Sequence, residues 1–183
     1  MTYYSARELA ASFRQVRGNT IQIADEIPES RYDFRAAPDV RAVAQLLAHI
    51  ALAPRVQLYL QQNRFTDLQQ VNFMEIIGEL AAEEAKPRTK NEVLSLLRSS
   101  GDEFAGYLDG LTDAFLAEPV TMPPGAQPPT KTRFEMLLSV KEHEMHHRGQ
   151  LMLVERMIGI TPHLTRQMQE RFAQRAAAAQ AAR

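Results

Sequence analysis

The chain has 183 residues, 45% hydrophobic and 23% charged, with 21 Lys and Arg against 22 Asp and Glu for a formal net charge of −1. That length suits one domain with a full core, and the balanced charge lacks the basic footprint of a nucleic-acid binder. No apolar run is long enough to span a bilayer, and the absence of cysteine excludes disulfides, zinc–thiolate sites and a catalytic thiol of the chain's own. Any metal must therefore be held by nitrogen and oxygen. The N-terminus, MTYYSARELAASFRQ, has no basic region followed by a long apolar stretch. It reads as no signal peptide, and a cytoplasmic protein is expected.

Helical signals recur along the chain and strand signals do not. Ser5 and Glu8 have capping-box spacing, which predicts a first helix running to about Glu26 and stopping near Pro28. Its Leu9, Phe13, Val16, Thr20 and Ile23 repeat at steps of three and four, giving one buried stripe. A loop over 28–38 holds Tyr32 and Phe34 and closes at Pro38, after which Asp39 can cap a second helix from Val40 to about Asn63. Pro54 should kink or divide that helix, because it removes one backbone hydrogen bond. The segment 64–88 is predicted to hold a shorter helix around 72–84, ended by Pro87. Thr89 and Glu92 form another capping box, and Val93, Leu96, Leu97, Phe104, Leu108 and Leu111 carry a helix to about Phe115, with Gly101 as its weak point. The stretch EPVTMPPGAQPPT has five prolines and reads as a long loop crossing the bundle from end to end. Thr130 can cap the last core helix, which extends to Ile158 and stops at Gly159. The tail beyond is rich in Ala, Gln and Arg and reads as a frayed or partner-dependent helix. The sum is an all-α four-helix bundle over residues 1–162, with a helical tail over 163–183.

Three of the five histidines fall in KEHEMHHRGQ. His143 and His147 are four apart, which on a helix places both rings on one face, able to share one ion. Val140, His143, His147, Leu151, Val154 and Ile158 continue as a single stripe, and on the second helix Leu46, His49, Ile50 and Ala53 share a face. Both helices thus send imidazoles inward. A shared metal satisfies one nitrogen on each ring, whereas three rings buried separately would each need a partner. Taken singly, His49 reads more readily as a satisfied core or boundary histidine, and the His143–His147 pair equally as ligands or as a surface cluster. His146 points away from His147 around the helix and reads as a rim residue or one that supports a ligand from behind. Glu142 and Glu144 are candidates for orienting a ligand or moving a proton, against the plainer reading of solvated charges paired with a neighbouring Arg or Lys. His163 is placed outside the helix, with no role. The string HEMHH also fits the HEXXH pattern of metalloproteases, but a short, wholly helical chain offers no sheet to hold a peptide.

With these residues the sequence resembles the DinB family, which includes the YfiT-like metal-dependent enzymes and bears HxxxHRGQ on its last core helix with a further His on the second. His143, His147, Arg148, Gly149 and Gln150 match the string and His49, in LLAHI, matches the single position. The resemblance runs from Ser5 to about Pro162. It implies an up-down-down-up four-helix bundle with a long crossover, often a homodimer. It also implies a divalent metal, Ni²⁺ or Zn²⁺, held by His49, His143 and His147, and a transferase or isomerase that uses a low-molecular-weight thiol.

Three neutral imidazoles leave an ion its full charge and an open position, which favours catalysis over a structural role and lowers the pKa of a bound water or thiol. The first expectation is therefore an enzyme that delivers thiol or water to a small electrophilic molecule. Catalytic side chains are not assigned, with Glu144 and His146 as supporting candidates, and no organic cofactor, nucleic acid or membrane partner is expected. The alternatives are a non-catalytic metal or small-ligand binding protein of the stress response, and a helical interaction protein whose histidines are structural.

Overall fold

The computed structural model describes residues 4–181. Residues 1–3, 182 and 183, part of the expected bundle and tail, lie outside the described residues. The bundle is built from α1 (Ala6–Glu26), α2 (Val43–Leu52) continued by α3 (Pro54–Gln62), α5 (Lys90–Asp109) and α7 (Arg133–Met157). Around these lie α4 (Phe73–Glu84), α6 (Asp113–Ala117) and α8 (His163–Ala181). Two three-residue strands, β1 (Pro119–Thr121) and β2 (Thr130–Thr132), pair antiparallel with Val120 opposite Lys131.

The core gives the helix directions. At one end, Leu9 and Phe13 of α1, Leu58 of α3, Phe104 and Leu108 of α5, and Leu137 and Val140 of α7 form one buried cluster. At the other end, Ile23 of α1, Leu46, Leu47 and Ile50 of α2, Val93 and Leu97 of α5, and Leu151 and Val154 of α7 form a second. The chain therefore runs up, down, down and up. Each of these large side chains contributes about 1.5–3 kcal/mol by leaving water.

This order corrects the expected crossover. Helix α5 ends, and α7 begins, in the same cluster, so the proline-rich stretch stays at one end and folds back as the β1–β2 hairpin. The segment that travels the length of the bundle is 63–89, carrying α4. A small core of Leu60, Leu68, Val120 and Met136 ties its start to the hairpin.

Several helix ends also move. Helix α2 starts at Val43 and not after Asp39, because Val43 and Ala44 donate to the carbonyls of Phe34 and Tyr32 at 3.0 and 2.9 Å and hold the preceding chain as a loop. Helix α5 stops at Gly110, and Thr112 opens α6 by accepting from the Phe115 amide. The cap of α7 is Thr132, the last residue of β2, whose amide donates to Glu135 at 2.7 Å, and Thr130 lies two residues earlier at the start of the strand. Gly159 closes α7 at φ +87°, letting the Ile160 amide reach the Glu155 carbonyl at 2.7 Å. His163 opens α8 and is buried, in contrast to the loop position read from the sequence.

One buried guanidinium ties the four bundle helices together. Arg17 of α1 pairs with Glu144 of α7 at 2.9 Å, and donates to Leu97 O and Ser100 Oγ of α5 at 2.7 and 2.8 Å and to Ile50 O of α2 at 3.3 Å. Two sequence irregularities become intelligible here. Pro54 has no N–H to give the carbonyl four residues back, which leaves Ile50 O free for Arg17. Gly101 is needed because a Cβ there would stand 2.8 Å from Arg17 Cγ.

Candidate metal centre

Helix α2 offers His49 one turn before the Pro54 break, and α7 offers His143 and His147 on adjacent turns. The Arg17–Glu144 pair lies on a different side of α7 from the histidines and fixes its rotation, turning both rings toward α2. His143 Nε2 lies 3.0 Å from His49 Nε2 and 3.1 Å from His147 Nε2. One nitrogen from each ring falls within 4.8 Å of the others. Nitrogens bound to a shared ion at about 2.1 Å sit about 3.0 Å apart at right angles and about 3.4 Å apart in a tetrahedron, so the donor set is close to what a divalent cation needs.

The outer nitrogens explain why the inner ones converge. His49 Nδ1 is 2.9 Å from Glu84 Oε2 at the end of α4, and Glu84 also takes the Arg41 guanidinium. A carboxylate only accepts, so His49 Nδ1 carries the proton and Nε2 presents a lone pair. His147 Nδ1 donates likewise to Gln150 Oε1 at 2.8 Å, and the Gln150 amide donates to His146 Nε2 at 3.2 Å. Two lone pairs thus face the Nε2 of His143, whose Nδ1 is buried without a partner. An N–H at that Nε2 could satisfy one of the two, whereas a cation at the centre would take a lone pair from all three rings.

Electrostatics keeps the rings neutral. Burial, then the neighbouring imidazoles, pushes His143 down to about 4. Burial and Arg41 lower His49 against the opposing pull of Glu84. Burial lowers His147, with Gln150 opposing. Neutral imidazoles are the form that ligates metal.

The structure brings His49, His143 and His147 together and leaves the other candidates outside that group. Glu144 is buried in its pair with Arg17 and does not support an imidazole. Glu142 is exposed. His146 is exposed, its ring edge-on to that of His147 at 4.9 Å between centroids, and Gln150 bridges the two. His163 lies against Asn19 at 3.3 Å. Glu84 and Arg41 escaped sequence reasoning, because nothing local marks two residues from the loop and the crossover as neighbours of His49. Gln150 had a signal, its place one turn after His147.

A family model described as the DinB superfamily matches residues 12–151. The chain belongs to the DinB superfamily. Among solved structures, YfiT from Bacillus subtilis, described as a probable metal-dependent hydrolase with an unusual four-helix bundle topology, superposes with a TM-score of 0.67 at 16% identity, over 88% of this chain and 91% of that one. A DinB-like protein from Bacillus cereus gives 0.67 at 18% identity over 88% and 97%. The DinB-like protein YjoA from B. subtilis gives 0.62 at 18% over 84% and 94%. No curated protein matches the sequence at a significant level. Among the described residues no helix is long and apolar enough to cross a membrane.

Proposed function

We propose that this DinB-superfamily protein is a metal-dependent enzyme that binds Ni²⁺ or Zn²⁺ through His49, His143 and His147. On this reading it delivers a thiol or a water to a small electrophilic molecule. The observation that carries the reading is the convergence of three Nε2 atoms at 3.0 and 3.1 Å, two with their outer nitrogens held by Glu84 and Gln150. Three neutral ligands suit an ion that keeps an open position. When bound, such an ion supplies Lewis-acid chemistry, lowering the pKa of the water or thiol that it takes. The description of YfiT as a probable metal-dependent hydrolase favours water, and the wholly cysteine-free chain requires any thiol to come from outside.

The chain's own residues supply the surroundings. A cavity of about 390 Å³ meets His49 and His143 and is walled by Ala53, Val56, Ile77, Leu80 and Val140, which suits a molecule with an apolar body. A second, of about 610 Å³, meets His147 and Gln150. Arg41 and Glu84 line both, so the guanidinium is placed to hold an anionic group between them. We further propose that the chain works as a homodimer.

The test is turnover. Full-length protein, purified without a His tag and loaded with Ni²⁺ or Zn²⁺, is incubated with a panel of electrophiles, with and without low-molecular-weight thiols. Product formation that disappears on chelation and in a folded His147→Ala variant supports the enzyme, and dependence on thiol separates transfer from hydrolysis. Turnover that survives either treatment overturns the assignment. Tight metal binding with no turnover across the panel favours a non-catalytic metal-binding protein.

A further inference from the structure

Helix α8 leaves the bundle after its first turn. His163 is buried against α1, Arg166 pairs with Glu26 at 2.7 Å, and Arg156 of α7 donates to Thr165 at 2.8 Å. Every residue from 167 to 181 is exposed. The sequence there favours helix, yet a helix of this length without packing is marginal in water. Arg171, Phe172 and Arg175 stand three, four and seven residues after Met168, so the four share one side of α8. Met168 is 51% exposed and Phe172 59%. Glu170, the acidic residue of this helix, lies on the other side.

A surface of opposite character lies between α3 and α4. Helix α4 buries no residue, although it carries Phe73, Met74, Ile76, Ile77 and Leu80. Glu75, Glu79 and Glu83 succeed one another at intervals of four along it. These three carboxylates, with Tyr59, Phe65 and Ile76, line a groove of about 550 Å³, in which Arg55 is the basic residue. Glu83 is already paired with Lys86 and Arg88, so Glu75 and Glu79 carry the groove's acidic character.

We infer that this groove receives α8 from a second copy of the chain, reciprocally, so that two copies close into a symmetric dimer. The inference deepens the homodimer reading and takes nothing from the metal reading. Its support is complementarity of charge and of spacing. Arg171 and Arg175 are four apart, as are Glu75 and Glu79, so two helices lying side by side set both pairs opposite one another at a repeat of about 6 Å. Met168 and Phe172 then meet the aromatic and aliphatic floor of the groove. A second copy is the fitting occupant because the chain itself carries both halves, while its own α8 is pinned to α1 and α7 and extends into solvent.

Sedimentation velocity on the full-length chain at micromolar concentration tests this with a charge swap. Wild type is expected to be a dimer. Arg171→Glu with Arg175→Glu, and separately Glu75→Arg with Glu79→Arg, should each weaken association about 100-fold or more by setting like charges together. An equimolar mixture of the two variants restores both interfaces and should recover the dimer. Circular dichroism checks the fold of each, and Phe172→Ala, expected to weaken association about 10-fold, stands in for a variant that does not fold. A dimer that persists through every variant, or a mixture that stays monomeric, overturns the interface and leaves the homodimer reading standing. A monomeric wild type overturns both, whether or not α8 then binds anionic vesicles.

Discussion

Glu84 connects two parts of the candidate centre, since it accepts a hydrogen bond from His49 Nδ1 and pairs with Arg41. Replacing it with glutamine keeps the size and removes the charge. Metal affinity in Glu84→Gln is therefore expected to fall about 10–100-fold, as for other groups that orient a ligand from behind. Isothermal titration of Ni²⁺ or Zn²⁺ into the variant checks this, and an unchanged affinity would remove Glu84 from the account. The contrast with the histidines shows what the sequence could reveal at this scale. His143 and His147 are four apart in one helix, and His49 interrupts an apolar stripe, so each carries a local mark. Glu84 and Arg41 are brought to the same place only by the crossover and by the loop before α2, and no local pattern encodes that meeting. Glu144 does pair with an arginine, as its plainer reading had it, but the pair is buried where a solvated one was expected. Its spacing beside His143 is equally local, but its partner Arg17 is distant in sequence.

Among the elements, the bundle helices were legible because their ends are chemically marked. Ser5 with Glu8, Thr89 with Glu92, and Gly159 all fall at the helix ends they announce. What the sequence misplaced was the crossover. Prolines in 118–130 exclude helix but do not say which ends of the bundle they join, and that was decided by which helix ends share a core. The true crossover carries α4, which has an apolar composition yet buries no residue. Its anchors at the site are polar, through Glu84 to His49 and Arg41. Such an element opens at low cost. Hydrogen exchange should show the α4 amides losing protection well before those of α1 and α5, with added Ni²⁺ or Zn²⁺ slowing α4 through His49 and Glu84. Protection of α4 equal to that of α1 would contradict this.

For the molecule as a whole, the clearest pH dependence lies away from the metal ligands. Glu155 is fully buried, neither carboxyl oxygen has a partner, and burial together with nearby Glu26 raises it to about 7. Its folded value thus lies above the ordinary 4.5, so the folded state holds the extra proton between the two. This contribution to stability is complete below about pH 4.5 and is lost as pH rises through about 7. Glu155→Gln cannot ionise. Relative to wild type, the variant should gain about 3 kcal/mol at most on going from about pH 5 to about pH 8. Urea unfolding at the two values checks it, and a constant difference would show that Glu155 ionises normally.

Anomalous X-ray diffraction from crystals grown with Ni²⁺ or Zn²⁺ would locate directly the one ion proposed to be held by rings from two helices. The account predicts one strong peak at the metal's absorption edge, about 2.1 Å from the Nε2 atoms of His49, His143 and His147 alike. A metal-replete crystal with no peak there, or with a peak that His49 does not reach, would contradict it.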